Sequence, residues 1–180
     1  MGAGKTRVKP LKTEVKYATP WFEVVGKTMQ AGEEPYYSLR LPDYAAVVAL
    51  TEDEQILLVR QYRPAVERYT LELPSGIMDP GEAAAETAAR ELLEETGYAA
   101  AHTEVLGFLS VDTGRMCNRA AGCVATGCRL VEGGTAEAGI EVLTWPIQDL
   151  WRATRTGQFE LSLHVAILMQ AVLAGKLPLS

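Results

Sequence analysis

The stretch GIMDPGEAAAETAARELLEETGY, residues 76–98, sets Gly76, Glu82, Arg90, Glu91, Leu92, Glu94, Glu95 and Gly97 at fixed spacing. Residues three and four apart share one face of a helix. Glu91, Glu94 and Glu95 therefore project their carboxylates toward a common point and repel one another unless a cation intervenes. A hard cation such as Mg²⁺ takes oxygen ligands octahedrally and keeps several waters, which suits an acidic face completed by a phosphate-bearing ligand. Asp79-Pro80-Gly81-Glu82 reads as an N-cap, a proline at the first helical position and a capping-box acid, with Gly97 as the stop. Ala83, Ala84, Ala85, Ala88 and Ala89 favour a helix between them, and Leu92 and Leu93 are available to the core. The competing reading is a solvated ladder in which Arg90 pairs with Glu86 and Glu94. It leaves the coincidence of the other specified positions unexplained.

Outward from this segment, residues 45–50 and 56–62 are short apolar runs joined through Thr51-Glu52-Asp53-Glu54, which predicts a central hairpin buried on both faces. Residues 21–30 and 36–41 alternate and read as strands, and Leu71-Glu72-Leu73 leads to a turn at Pro74-Ser75-Gly76. Further strands are expected over 103–111, 122–131 and 140–144, separated by turns at Gly114 and Gly133-Gly134. Pro146 opens a helix that ends near Gly157, and residues 161–173 make a terminal helix with apolar spacing of three and four. The fold class is α/β, with helices flanking a mixed sheet. The expected division is an N-terminal tail and extended strand region over 1–40, part of the same domain, and the main domain over 41–180.

With 180 residues, 48% of them hydrophobic, the chain can bury a substantial core without disulfides. A net charge of −6 argues against a general nucleic-acid binder. Cys117, Cys123 and Cys128 are odd in number and lack metal-ligand spacing, so they read as reduced thiols of a cytoplasmic protein. The first twenty residues carry no apolar run resembling a signal peptide, and 161–173 is too short to span a bilayer. Gly4-Lys5-Thr6 lacks the upstream glycine of a phosphate loop, and Met1-Gly2 with Thr6 fits a myristoylation pattern only loosely. His164, alone on an apolar helix, reads as a satisfied core residue, and Trp145 and Trp151 as packing residues.

The pattern Gly76-x5-Glu82-x7-Arg90-Glu91-Leu92-x-Glu94-Glu95-x-Gly97-Tyr98 resembles the complete signature of the Nudix hydrolases, with Tyr98 where the family usually has an aliphatic residue. The resemblance implies an α/β/α sandwich and metal-dependent hydrolysis of a nucleoside diphosphate linked to another group. It further implies Glu91, Glu94, Glu95 and the Ser75 carbonyl around Mg²⁺, with Mn²⁺ as a substitute. Glu94 and Glu95 also carry the catalytic role, and Arg90 and Glu82 brace each other beneath the site. Unrelieved, a pyrophosphate resists attack because its oxygens repel a nucleophile, and metal ions neutralise that charge.

Val59-Arg60-Gln61-Tyr62-Arg63 followed by Leu71-Glu72-Leu73-Pro74-Ser75-Gly76 is similar to ADP-ribose and nucleotide-sugar pyrophosphatases within the family. That similarity implies that Arg63 contacts the diphosphate or terminal sugar and that Glu72 lies near the metal or base; surface ion pairs are the competing reading. Gly114 fits the branch's pattern, whereas Thr113 stands where a proline is usual. Arg115 and Arg119 suit either cationic contacts to a sugar phosphate or a solvated loop. Glu137, in a loop of small residues before the final strand, matches the branch's catalytic base, with Glu141 and Glu94 as rivals and an exposed loop glutamate as the plain alternative. Trp21 would stack on the base in a homodimer, against the competing reading of a core tryptophan. The expected substrate is ADP-ribose, cleaved to AMP and ribose 5-phosphate. GDP-mannose, another nucleoside diphosphate derivative, or a noncatalytic nucleotide-sugar sensor are the alternatives. No nucleic-acid or membrane partner is expected.

Overall fold

In the computed structural model, which describes residues 8–179, the elements follow the chain as β1 (Lys12–Ala18), β2 (Glu23–Thr28), β3 (Tyr36–Arg40), β4 (Tyr44–Thr51), β5 (Ile56–Arg63), β6 (Arg68–Glu72), β7 (Ser75–Ile77), α1 (Ala84–Thr96), β8 (Tyr98–Ala99), β9 (His102–Ser110), β10 (Arg119–Leu130), β11 (Glu141–Trp145), α2 (Ile147–Thr156) and α3 (Ser162–Leu173). The chain divides into a smaller unit, residues 8–42 with 110–118, and a larger unit, residues 43–109 with 119–179. The Gly4-Lys5-Thr6 and Met1-Gly2 readings lie outside the described residues.

In the smaller unit β1, β2 and β3 form an antiparallel sheet in that order. Leu39 bridges to the 110–118 segment, donating from N to Arg115 O (2.7 Å) and accepting from Cys117 N (3.1 Å). β1 carries four charged or polar residues on a mostly exposed strand, so no apolar alternation announced it in the sequence.

The larger unit is built on an eight-stranded mixed sheet with the central path β11-β5-β4-β10-β8; β10 runs parallel to β4, and β5 antiparallel to both β4 and β11. The expected hairpin is β4–β5, and Ala45 through Ala49 are wholly buried, as a strand covered on both faces requires. On one face Ala84, Ala88 and Leu92 of α1 pack against Ala45, Val47, Ala49, Leu57, Ala121, Cys123 and Ala125. On the other, Ile167 and Gln170 of α3 approach Gly122 so closely that a side chain there would meet both. The α/β/α layering follows. Leu92 has no exposed surface, and truncating it to alanine is expected to cost about 2–5 kcal/mol.

The start of α1 differs from its sequence reading. Asp79 and Pro80 lie outside α1, whose N-cap is Ala83. Gly81 sits at φ +88°, a left-handed conformation that breaks helical continuity, and Glu82 N donates to Asp79 O (3.0 Å) to close a turn. Glu82 does reach back to accept from Asp79 N (3.1 Å), but the helix proper is started by Glu86, which accepts from Ala83 N (3.0 Å). The predicted stop holds, because Gly97 caps α1 with its N–H on Leu93 O.

Pro74-Ser75-Gly76, read as a turn, is a connection followed by a three-residue strand: β7 pairs antiparallel with β4 through Ala46↔Ser75 and Ala45↔Gly76. β6 pairs with β5 with Val59 opposite Glu72. Neither strand is long enough to show its own period. α2 and α3 lie where the proline, glycine and apolar spacing predicted. Trp151 is buried with its indole N–H on Pro178 O, and Tyr98 packs against the α1 core. Cys117, Cys123 and Cys128 are free thiols. No helix among the described residues is long and apolar enough to cross a membrane.

Candidate active site

Gly76 lies directly beneath the Glu91 carboxylate. A Cβ at position 76 would stand 2.0 Å from the carboxyl carbon and 2.1 and 2.3 Å from its oxygens, so the approach exists only because residue 76 has no side chain. One residue earlier, Ser75 N donates to Glu95 Oε2 at 2.9 Å. The β7 backbone and the acidic turn of α1 are thereby joined at two successive residues.

Arg90 holds the other side of that turn. Its Nε and Nη2 donate to Glu82 Oε1 and Oε2 (3.0 and 3.1 Å), Nη2 also to Ile77 O (3.0 Å), and Nη1 to Glu91 Oε1 (2.7 Å) and Glu94 Oε2 (3.0 Å). Thr87 Oγ1 adds a further donor to Glu82 Oε2 at 2.8 Å. With these bonds from Arg90, Asp79 N and Thr87, the Glu82 carboxyl is held down to about 2 and Arg90 is pushed further up. The brace expected of Arg90 and Glu82 is therefore present.

The three helix glutamates differ in environment. Glu95 is 6% exposed, and burial, with the charges of Glu91 and Glu72, raises its carboxyl to about 7 against the Ser75 N–H bond and Arg63. Glu91 is raised in the same direction, first by burial. Glu94 is exposed and held by Arg90. Among the described residues these side chains do not close into a three-ligand cluster. Arg90 stands where it neutralises Glu91 and Glu94 together.

The residues nonetheless fit a hard divalent cation. Glu91 lies over a cradle that any Cβ would fill, Glu95 has an Oε1 without a hydrogen bond among the described residues, and the available donors are carboxylate and carbonyl oxygens. A carboxyl raised toward 7 by burial and like charge is one whose ionised form a cation would stabilise.

Arg63 and Glu72 are brought together. Arg63 Nε and Nη2 fork onto Glu72 Oε1 and Oε2 at 2.8 and 2.6 Å, and Thr70 Oγ1 donates to Oε1 at 2.6 Å. Glu72 has 3% of its side chain exposed and Arg63 42%, so the acid is internal and the guanidinium opens to solvent. Burial raises Glu72, yet these hydrogen bonds leave it below its ordinary value. Tyr44, close enough to feel both charges, is raised to about 12 by burial. Neither Thr70 nor Tyr44 stands out in the sequence. The signal for Thr70 was its period-two spacing from Glu72 opposite Gln61, legible once β6 is known to pair with β5.

Glu137 lies on an exposed loop of the larger unit, with no side-chain partner among the described residues. Of its rivals, Glu141 is paired with Arg60 at 3.1 Å and Glu94 with Arg90. Arg119 pairs with Asp43 and lies over the Phe108 ring at 4.5 Å, a structural use of that cation. In the smaller unit Trp21 is 70% exposed, so the core reading of this residue does not hold; it lines a depression of about 430 Å³ with Phe22, Arg40 and Pro42. Gly114 N donates to Asp112 Oδ1 (2.7 Å), and Arg115 lies over the Tyr36 ring at 5.3 Å while donating to its hydroxyl (2.8 Å).

An ADP-ribose pyrophosphatase of Bacillus subtilis is 46% identical over 59 residues, 33% of this chain and 32% of the relative. The chain thus spans about a third of the length of such curated relatives. A longer match, 35% identical over 136 residues, covers 72% of this chain and 66% of an ADP-ribose pyrophosphatase of Mycobacterium tuberculosis. The crystal structure of an ADP compounds hydrolase superposes with a TM-score of 0.77 at 23% identity, covering 94% of this chain and 97% of that one, a likeness of fold. A family model described as the NUDIX domain matches residues 40–145, a span that takes in β4, β5, β7 and the whole of α1. On that match, which exceeds half of its length, the chain belongs to the Nudix family.

Proposed function

We propose that this chain hydrolyses the pyrophosphate bond of a nucleoside diphosphate linked to a sugar, with ADP-ribose the leading substrate, giving AMP and ribose 5-phosphate. Mg²⁺ is the proposed cofactor, with Mn²⁺ able to replace it, held by Glu91, Glu95, Glu94 and the Ser75 carbonyl. The observation that carries the reading is the bare Gly76 backbone beneath Glu91, next to a Ser75 tied to a buried, elevated Glu95. When bound, such a cation neutralises phosphate oxygens and makes a coordinated water more acidic.

The chain's own residues supply the rest. Arg63, half open to solvent on its forked ion pair, is suited to turning a guanidinium edge toward phosphate oxygens while Glu72, itself bonded by Thr70, anchors its Nε and Nη2. Glu137 is the proposed acceptor for the proton of the attacking water. It is unengaged, whereas Glu141 and Glu94 are neutralised by arginines. Trp21 offers an exposed indole for a purine, and Gly114 with Arg115 a backbone and cationic contact to the sugar phosphate. Similarity to two bacterial ADP-ribose pyrophosphatases supports the substrate class. A cytoplasmic homodimer that engages neither nucleic acid nor membrane completes the proposal.

The test is to incubate the purified protein and Mg²⁺ with ADP-ribose, GDP-mannose, NADH and diadenosine polyphosphates, following products by ³¹P NMR. AMP and ribose 5-phosphate from ADP-ribose, formed faster than products from the others, are expected. Binding of ADP-ribose without turnover would refute hydrolysis in favour of a sensor.

A further inference from the structure

α3 packs through Leu163, Ile167, Leu168 and Ala171, an apolar surface that leucine or phenylalanine at position 164 would extend. The residue there is histidine, 1% exposed. A buried imidazole in such surroundings costs desolvation unless it makes a specific bond. Its Nδ1 accepts from Leu73 N at 3.1 Å, which fixes the proton of the neutral ring on Nε2.

The position of that bond gives it a consequence for the site. Leu73 and Pro74 connect β6 to β7 and lie outside both strands. Three successive residues there have no ordinary ladder donor: Leu73 N–H goes to His164, Pro74 has none, and Ser75 N–H goes to Glu95. Pro74 contributes its carbonyl instead, accepting from Val47 N at 3.0 Å. The connection that carries Glu72 at one end and Ser75 at the other is thus gripped by α3 through His164 and by α1 through Glu95.

We propose that His164 is a positioning residue for the cation site, fixing Leu73 so that Glu72 and the Ser75 carbonyl keep their relative orientation. This rests on the reading of Ser75 and Glu95 as cation ligands. Loss of a direct partner of a metal ligand costs about 10–100-fold in affinity or turnover, and His164, which bonds Leu73 two residues before Ser75, acts at the lower end of that range. The role differs from packing, because an acceptor is required and bulk is not sufficient.

The test compares His164→Leu, which fills the space without an acceptor, with His164→Asn, whose Oδ1 can stand near the position of Nδ1. Mn²⁺ binding by electron paramagnetic resonance, without substrate, and kcat and KM for ADP-ribose are measured below the melting temperature of each variant. His164→Leu is expected to weaken Mn²⁺ binding and lower kcat by about 10-fold or more with KM little changed, and His164→Asn to restore both to within about threefold. Equal Mn²⁺ affinity in all three proteins, with differences confined to melting temperature, would overturn the proposal. Should the leucine variant not fold, Mg²⁺ titration of the ¹⁵N-labelled parent decides. A shift of the Leu73 amide and His164 Nδ1 resonances supports the coupling, and no shift overturns it. If the parent binds Mg²⁺ with these shifts yet hydrolyses no pyrophosphate, the functional reading fails while the positioning role stands.

Discussion

Gly76→Ala separates the fold from the chemistry. The added Cβ would stand 2.0 Å from the Glu91 carboxyl carbon, so that carboxylate has to retreat by roughly 1.5 Å or more to reach ordinary contact. Because the obstacle is the end of a flexible side chain, the backbone can stay in place. Gly76 lies in β7 outside the left-handed region, where replacing glycine by alanine stabilises by about 0.4–1 kcal/mol through the unfolded chain. Loss of the Arg90–Glu91 pair works against this by up to about 1 kcal/mol. Net stability should therefore move by no more than about 1 kcal/mol. A displacement near 1 Å at reacting groups costs on the order of 10²-fold in rate, so kcat is expected to fall about 10²–10³-fold, or roughly 3–4 kcal/mol of barrier. Thermal melting, Mn²⁺ binding and steady-state turnover on ADP-ribose measure the three quantities. A variant with parental turnover and Mn²⁺ affinity would refute the reasoning, whatever its melting temperature.

Glu95→Gln should abolish most turnover and change the pH dependence of stability. Burial raises the native carboxyl from about 4.5 to about 7, so between these the folded state binds more protons and stability falls as pH rises. In the cation-free protein the glutamine variant should exceed the parent by up to about 3 kcal/mol at pH 8, the gap closing by pH 5 in urea melts; a constant gap contradicts the assignment. His164 acts with the opposite sign: burial lowers it to about 4, so stability is lost as pH falls from 6.5 toward that value, and it cancels from the comparison because both proteins carry it. Arg63→Ala leaves the buried Glu72 carboxylate unpaired and should destabilise by about 3 kcal/mol, with Arg63→Ala/Glu72→Gln recovering most of the loss; no recovery in the double variant would show that the pair is not the cause. Glu137→Gln should lower kcat at every pH without altering melting or Mn²⁺ affinity, and full activity across the pH range would remove Glu137 from the mechanism.

What was legible in the sequence was local. The alanines and leucines of α1, the Gly97 stop, the Pro146 and Gly157 ends of α2 and the apolar β4–β5 hairpin each announce themselves within a few residues. The start of α1 misled because Asp79, Pro80 and Glu82 carry helix-start chemistry, while the left-handed Gly81 converts it into a separate turn. β1, β6 and β7 were missed or blurred because they are short or polar and are defined by partners distant in sequence. At the site, the spacing of Gly76, Glu82, Arg90, Glu91 and Glu95 was readable, but the ion-pair geometry was not. That Arg90 bridges Glu91 and Glu94, and that Arg63 closes on Glu72, depends on how β6, β7 and α1 meet. The exposure of Trp21 likewise comes from tertiary structure, since an aromatic pair beside a strand suits a core equally well.

Cation binding by the acidic turn of α1 and the backbone at Ser75, against a pyrophosphate, is the step on which the proposed hydrolysis depends. Its most direct test is anomalous diffraction from crystals grown with Mn²⁺ and a nonhydrolysable ADP-ribose analogue. A manganese peak within coordination distance of Glu91, Glu95 and the Ser75 carbonyl, touching the analogue's phosphates, is expected. An ordered analogue with no manganese beside those oxygens would contradict it.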